Sequence, residues 1–264
     1  MKKYKVEFNW KAAAVTAAVA VGVPVMNVIY DFIPFPLAAA IVLLSAAALI
    51  IALYDIKRIK NSALAKPETC SDIKSIDFNL GAGNFVIRSA DSFELETAQA
   101  VSRISGGVWH IESGIRHDDT NGAVSIIGIP HDFTAENAVI RLFNGNILIE
   151  HLAAFNTRLD VRSGSTQAKS IYARNLNAHC GSGSIDMTAA IHGNANIECG
   201  SGKITLDLNN AKDDFHITAS PGQGRVTVGE HEITGSQSRI DLNENAPFKI
   251  NIRCGGGETA VNFK

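Results

Sequence analysis

The sequence predicts an all-β fold, a parallel β-helix or β-solenoid of about nine coils, preceded by two transmembrane α-helices. Three observations predict it. The first sixty residues hold two long runs without a charge. The rest of the chain repeats one phrase, a glycine followed by alternating apolar residues. From Gly145 to Gly202 that phrase returns every nineteen residues.

The membrane anchor is predicted over residues 1–60. Residues 12–30 are uncharged and alanine-rich, with Pro24 and Asn27; residues 33–54 are uncharged and rich in Leu, Ile and Val. A helix of about 20 apolar residues crosses a bilayer core of ~30 Å, so both runs are long enough. The intervening DFIPFP, with Asp31, Pro34 and Pro36, reads as a tight turn. Lys2, Lys3, Lys5 and Lys11 precede the first run, and Lys57, Arg58, Lys60 and Lys66 follow the second. The short loop between the runs has neither Lys nor Arg, so the positive-inside rule places both ends in the cytoplasm. Residues 1 to about 25 also fit a signal peptide, with a basic start and an apolar stretch. Cleavage there would still leave the second run ending in the cytoplasm. Residues 61–69, polar and containing Pro67, form a linker, and residues 70–264 form the solenoid domain.

Nine glycines anchor the repeat: Gly83, Gly107, Gly122, Gly145, Gly164, Gly183, Gly202, Gly224 and Gly257. Two and four residues after each stand mostly apolar residues, among them Phe85 and Ile87, Ile147 and Ile149, Ile185 and Met187, Ile204 and Leu206. That is a strand with one buried face. A period near 20 residues, with a strand and a glycine turn per unit, is the signature of a solenoid, whose units bury their apolar faces only by stacking. A second strand per coil shows as Leu176, Ala178, Cys180 and, nineteen residues later, Ala195, Ile197, Cys199. Small polar residues before the glycine (Asn144, Ser163, Ser182, Ser201) suit a turn needing positive φ. On the outward face the ladder predicts the pairs Arg88–Glu112 and Glu150–Lys169. The irregular intervals, Gly83 to Gly145 and Gly224 to Gly257, read as loop insertions.

Three of the four cysteines, Cys180, Cys199 and Cys254, occupy the column three before the glycine that holds Leu80, Leu142 and Val161 elsewhere, with Asp119 and Pro221 breaking it. Free cysteine packs as a small apolar residue, so these are read as core. Cys180 and Cys199 fall on adjacent coils, close enough for a disulfide in an oxidising compartment. Cys70 lies outside the columns.

Nothing in the pattern points to catalysis. His117-Asp118-Asp119, His131-Asp132 and Asp213-Asp214 read as solvated turns, since a hard cation wants more oxygens than one turn supplies. GSGS and GSGK are followed by strand residues, whereas a phosphate loop needs a helix start. The CxxC, HExxH and phosphate-loop motifs are absent. Asp186 and Asp207 face outward at different offsets, so no carboxylate row forms. No catalytic, cofactor-binding or metal-binding residue is therefore assigned, and no cofactor or small-molecule substrate is expected. The formal net charge of −2 gives no basic face for nucleic acid.

The run from CGSGSIDM through CGSGKITLDL to CGGGETAVNF resembles the bacterial putative-adhesin family, a β-solenoid domain of unknown function, over residues 70 to 264. The resemblance implies a single-stranded β-helix, often membrane-tethered, in proteins of the cell envelope or its stress response. It carries over no catalytic residues. The expected function is a scaffold or interaction protein of the envelope, held in the lipid bilayer of the cytoplasmic membrane by the hairpin, with the solenoid in the cytoplasm and a protein partner or self-association. Two alternatives stay open: an outward-facing adhesin or wall-polymer binder, and a bactofilin-like polymer growing from exposed solenoid ends.

Overall fold

The computed structural model describes residues 72–97, 100–114 and 124–264. The chain separates into two compact units, Met1–Pro67 and Glu68–Lys264, and every described residue lies in the second. The two helices expected at 12–30 and 33–54, the linker, Cys70 and the His117-Asp118-Asp119 cluster lie outside the described residues. Among the described residues no helix is long and apolar enough to cross a membrane.

The described chain is all strand, apart from turns and a short 3-10 segment at Lys212–Asp214. In order the strands are β1 Ser75–Ala90, β2 Glu94–Glu96, β3 Ala100–Ser105, β4 Val108–Ser113, β5 Val124–Pro130 and β6 Ala135–Ile149. Then come β7 Leu152–Val161, β8 Ser165–Cys180, β9 Ser184–Ile191, β10 Ala195–Cys199, β11 Lys203–Leu208 and β12 Phe215–Pro221. The last are β13 Arg225–Val228, β14 His231–Thr234, β15 Ile240–Leu242, β16 Phe248–Cys254 and β17 Glu258–Phe263.

Alternation makes the strands. In β8, Thr166, Ala168, Ile171, Ala173, Leu176, Ala178 and Cys180 are buried, and the residues between them face out. The register breaks between Ala168 and Ile171, where the chain turns a corner. Stacked this way, the coils form two long ladders and a short third one that joins 152–154, 171–173 and 189–191. The first joins the strands before the column glycine and the second those after it. Aromatic rings fill the core near both ends. Phe78, Trp109, Phe93 and Phe133 pack edge to face at 4.9–5.3 Å at one end, and Phe215 lies between Phe248 and Phe263 at the other.

The spatial order of coils differs from the order in sequence. Across both long ladders the described residues give eight coils: β4–β5, then 75–90, 135–149, 152–168, 171–187, 195–208, 248–263 and finally 215–228. The first coil in sequence thus lies second in space, with β4 and β5 on one side and β6 on the other. Likewise the last coil in sequence, β16–β17, fills a slot between β10–β11 and β12–β13. Antiparallel strands finish each end, β2 and β3 on β5 and β4, and β14 and β15 on β13 and β12.

This order corrects four expectations. The nine phrases make eight coils, because Gly107 is not a column glycine: it closes the β3–β4 hairpin, and Trp109 pairs with Ile76 in the first ladder. The phrase at Gly122 is one residue out of column. Val124 pairs with Asn84, so Ser125 and Ile127 face the core and Val124 is exposed, as a one-residue slip exchanges the two faces of a strand. The irregular intervals are not loop insertions but hold whole coil strands and the end strands. And the C-terminal strand is not one of the exposed solenoid ends from which a polymer was expected to grow. Strand β17 is paired on both edges, so a polymer cannot grow from it. The true end strands are short, antiparallel and charged, with Glu94, Glu96 and Arg103 at one end and Glu232 and Asp241 at the other, the usual protection of a sheet edge.

The glycine column is a packing requirement. Only Gly83 and Gly145 of the column have positive φ, 141° and 123°. From Gly145 onward each glycine lies so close to its neighbour that an added Cβ would collide with the backbone oxygen of the preceding glycine in space, through Gly164, Gly183, Gly202, Gly257 and Gly224. The expected link between the small polar residue and positive φ therefore holds at Gly145 and fails from Gly164 on, where close approach of coils is the cause.

A second ladder of like residues stands eight before the column glycine, at Asn137, Asn156, Asn175 and Asn194. The side-chain amide of Asn156 donates to Asn137 Oδ1 at 3.1 Å and that of Asn175 to Asn156 Oδ1 at 2.9 Å. Asn175 Oδ1 then accepts from Asn194 N, and Asn194 Oδ1 from Lys249 N. Each amide serves the next coil, so the corner is bonded along the axis as the strands are.

Among the described residues, Thr157 and Thr166 bury hydroxyls that lack a partner. Each is 1% exposed. Thr166 stands between Ile147 and Ile185 in the second ladder. A buried polar group left unpaired costs about 1–3 kcal/mol, and valine has threonine's shape. Thr166→Val is expected to stabilise the chain by about 1 kcal/mol, read as a higher midpoint in thermal unfolding of the full chain in detergent. A lower midpoint would mean that the hydroxyl is satisfied.

Candidate interaction surface

Among the described residues, those singled out for chemistry in the sequence do not converge. His131 Nε2 lies 3.9 Å from Asp91, with both side chains exposed. Asp213 and Asp214 belong to the 3-10 turn and contribute no buried residue. Among the described residues no group of three His, Cys, Asp or Glu is placed to hold a metal. The glycine-serine turns offer nothing to a phosphate. The amides of Gly200, Ser201, Gly202 and Lys203 donate to Cys180, Gly181, Gly181 and Gly183 carbonyls at 2.7–3.0 Å, so the ladder consumes them. Lys203 faces outward as its place in the phrase requires, and its Nζ is 3.2 Å from Glu258.

The cysteines are where the column puts them. Cys180 is fully buried, Cys199 and Cys254 are 4% and 3% exposed, and all three are free thiols. Cys199 pairs with Cys180 on one side and Cys254 on the other. Pro221 follows opposite Cys254, so it continues the column it was expected to break. Cys199 Sγ donates to the Glu258 carbonyl at 3.6 Å; the neighbouring Cys199 thiol lowers Cys180 to about 7, and the Cys180 thiol and burial push Cys199 up. Burial also pushes Cys254 up.

What the coils do present is the outward side of the first ladder. Two rows run along it. One carries Asp77, Arg158, Asn177, Asn196, Asn251 and Thr218; the other carries Arg141, Asp160, His179, Glu198 and Arg253. Arg141 pairs with Asp77, and Arg158 with Asp160 at 2.9 Å. Glu198 lies between His179 and Arg253, 3.7 Å from each. Thr218 donates to Asn251 Oδ1 at 2.7 Å. Each strand backbone is pinned on both edges, so these polar groups are held in fixed rows.

At the glycine corner a shallow open groove of about 750 Å³ runs across the last four coils. Gly183, Gly202, Gly257 and Gly224 form its floor, and Ser201, Lys203, Gln223, Arg225 and Glu258 its walls. Sequence reading found the glycines and missed the groove, because Gln223 and Arg225 are brought beside Glu258 only by the out-of-order stacking.

Among protein families, the Toastrack DUF4097 model matches residues 67–262. The chain belongs to the Toastrack family. The likeness drawn from CGSGSIDM, CGSGKITLDL and CGGGETAVNF thus holds at the level of the family, and the all-β solenoid is its fold. Two solved structures are similar in outline. One is a putative cell adhesion protein from Clostridium sporogenes, with 12% identity over 75% of this chain and 97% of that one and a TM-score of 0.38. The other is a putative adhesin from Bacteroides fragilis, with 13% identity over 72% of this chain and 92% of that one and a TM-score of 0.31. No curated protein matches the chain.

Proposed function

We propose that this Toastrack chain is a membrane-anchored interaction scaffold of the bacterial envelope, without catalytic activity. Residues 12–30 and 33–54 hold it in the bilayer and the solenoid lies on the cytoplasmic side. The observation that carries the reading is the outward side of the first ladder. Charged and amide side chains stand there in rows on a backbone bonded along both edges, a preorganised polar surface that costs a protein partner little ordering. The lysines flanking both apolar runs support the orientation.

The test is topology. Reporter pairs fused after Lys264, one active only in the cytoplasm and one only outside it, are expected to give a cytoplasmic signal. An outside signal would sink the proposal. It would mean that the alanine-rich run does not span, and it would favour the adhesin or wall-polymer reading instead.

A further inference from the structure

Cys180 and Cys199 stand directly opposite each other on parallel neighbours β8 and β10. Neighbouring strands lie about 4.8 Å apart, within the Cα separation that a disulfide bridges. The Cys199 thiol donates to the Glu258 carbonyl at 3.6 Å. The wall between these thiols and solvent is thin. A Cβ built on Gly202 would lie 2.9 Å from Cys180 Sγ, and one built on Gly224 the same distance from Cys254 Sγ. Both glycines line the floor of the open groove. The glycine ladder forbids a side chain there, so at each point the backbone of one glycine lies between the groove and a buried sulfur. That barrier excludes bulky disulfide reagents. Cys180 is fully buried, so an oxidant reaches it only when the coil corner opens, and a peroxide, the smallest class of oxidant, needs the least opening.

We propose that Cys180 and Cys199 are a peroxide-oxidised thiol pair, with Cys180 as the attacking sulfur and Cys199 as the resolving one. The Cys180 thiolate attacks one oxygen of hydrogen peroxide. The O–O bond breaks, and hydroxide leaves as water after taking a proton, giving Cys180 sulfenic acid. The Cys199 sulfur then attacks the Cys180 sulfur. The S–O bond breaks, a second water leaves with the Cys199 proton, and the disulfide closes. Two thiols lose two electrons and one peroxide becomes two waters. The order of attack follows from the Cys199 thiol donating to the Glu258 carbonyl at 3.6 Å, which keeps the proton on Cys199, while Cys180 is the thiol lowered by its neighbour. Thiolate is the nucleophile in such chemistry, and condensation of a sulfenic acid with a neighbouring thiol is its ordinary fate. The inference is independent of the side of the membrane on which the solenoid lies.

The sequence supplies a direct assay. No Lys or Arg lies between Arg174 and Lys203, so trypsin leaves both thiols in one peptide, 175–203, while Cys254 falls in 254–264. The full chain in detergent is reduced, freed of reductant, exposed to hydrogen peroxide, alkylated with iodoacetamide and digested. Peptide 175–203 is expected to lose both alkylation sites and the mass of two hydrogens, and to regain both sites on reduction. In Cys199→Ser the sulfenic acid at Cys180 is expected to be trapped by dimedone. The proposal is overturned if wild-type 175–203 still takes two alkyl groups after peroxide. It is also overturned if 175–203 becomes joined to 254–264, or if Cys180 passes to sulfinic acid with Cys199 still alkylated. The wild-type map decides by itself, whether or not the serine variant folds.

Discussion

Gly183→Ala is expected to destabilise the solenoid by about 3 kcal/mol, whereas Gly256→Ala changes it by less than about 0.5 kcal/mol. The two glycines lie in equivalent corner turns of different coils. A Cβ at Gly183 would collide with the carbonyl oxygen and nitrogen of Gly164 and lie 3.0 Å from the Ser163 carbonyl carbon. All three atoms are backbone, so no rotamer change relieves the clash. Two coils must separate, and strand hydrogen bonds such as Ser184 N to Gly164 O, at 2.9 Å, lengthen with them. At Gly256 a Cβ meets nothing within 4 Å. Thermal unfolding of both variants, in full chain and the same detergent, separates the cases. A domain of this size loses roughly 2–4 °C per kcal/mol, so the Gly183 variant should melt roughly 6–12 °C lower. Equal midpoints would show that the column glycines serve the turn and not the stack.

Much of the fold was legible because a solenoid writes its period into the chain. From Gly145 to Gly202 the nineteen-residue spacing, the cysteine column and the Glu150–Lys169 pair, now at 3.6 Å, all follow from it. What failed has one cause. Every coil fills the same columns with like residues, so the pattern says that strands stack but not which strand stacks on which. Trp109 satisfies the alternation as well as Phe85 does, yet it belongs to the other ladder. Arg88 was expected opposite Glu112, but β5 lies over its strand, and Arg88 stands opposite Gly128. The missing side chain at Gly128 leaves room for Glu94, which reaches Arg88 at 3.0 Å, while Glu112 pairs with Arg103. The asparagine ladder was legible and went unread. It repeats at the same nineteen residues but on polar positions, where an apolar pattern is not sought. The groove was not legible at all, because its walls come from 201–203, 223–225 and Glu258, whose adjacency depends on the slot filled by β16–β17.

Val261→Asp is expected to release two coils rather than one. Val261 is fully buried and stands between Leu206 and Val228. A carboxylate there has no partner, and an unpaired buried charge belongs with the substitutions costing more than about 4–5 kcal/mol. In a solenoid each coil is held by its neighbours. Among the described residues, coil 215–228 pairs with the other coils through β16 and β17 alone, so it loses its support when they loosen. Hydrogen exchange on the full chain should therefore show protection lost together in 215–228 and 248–263, and kept in 135–187. Stacking in sequence order makes the opposite prediction. There the last coil would be an end piece, and its loss would leave 215–228 protected on β10–β11. Retained protection in 215–228 would have a second physical meaning as well. Ile217 matches Ile250 and Val228 matches Val261 in register, so β12–β13 presents the same columns as β16–β17 and could enter the vacated slot. Joint loss of protection would show that the connection through β14 and β15 holds β12–β13 away from that slot, and that the C-terminal coil is the piece that closes the stack.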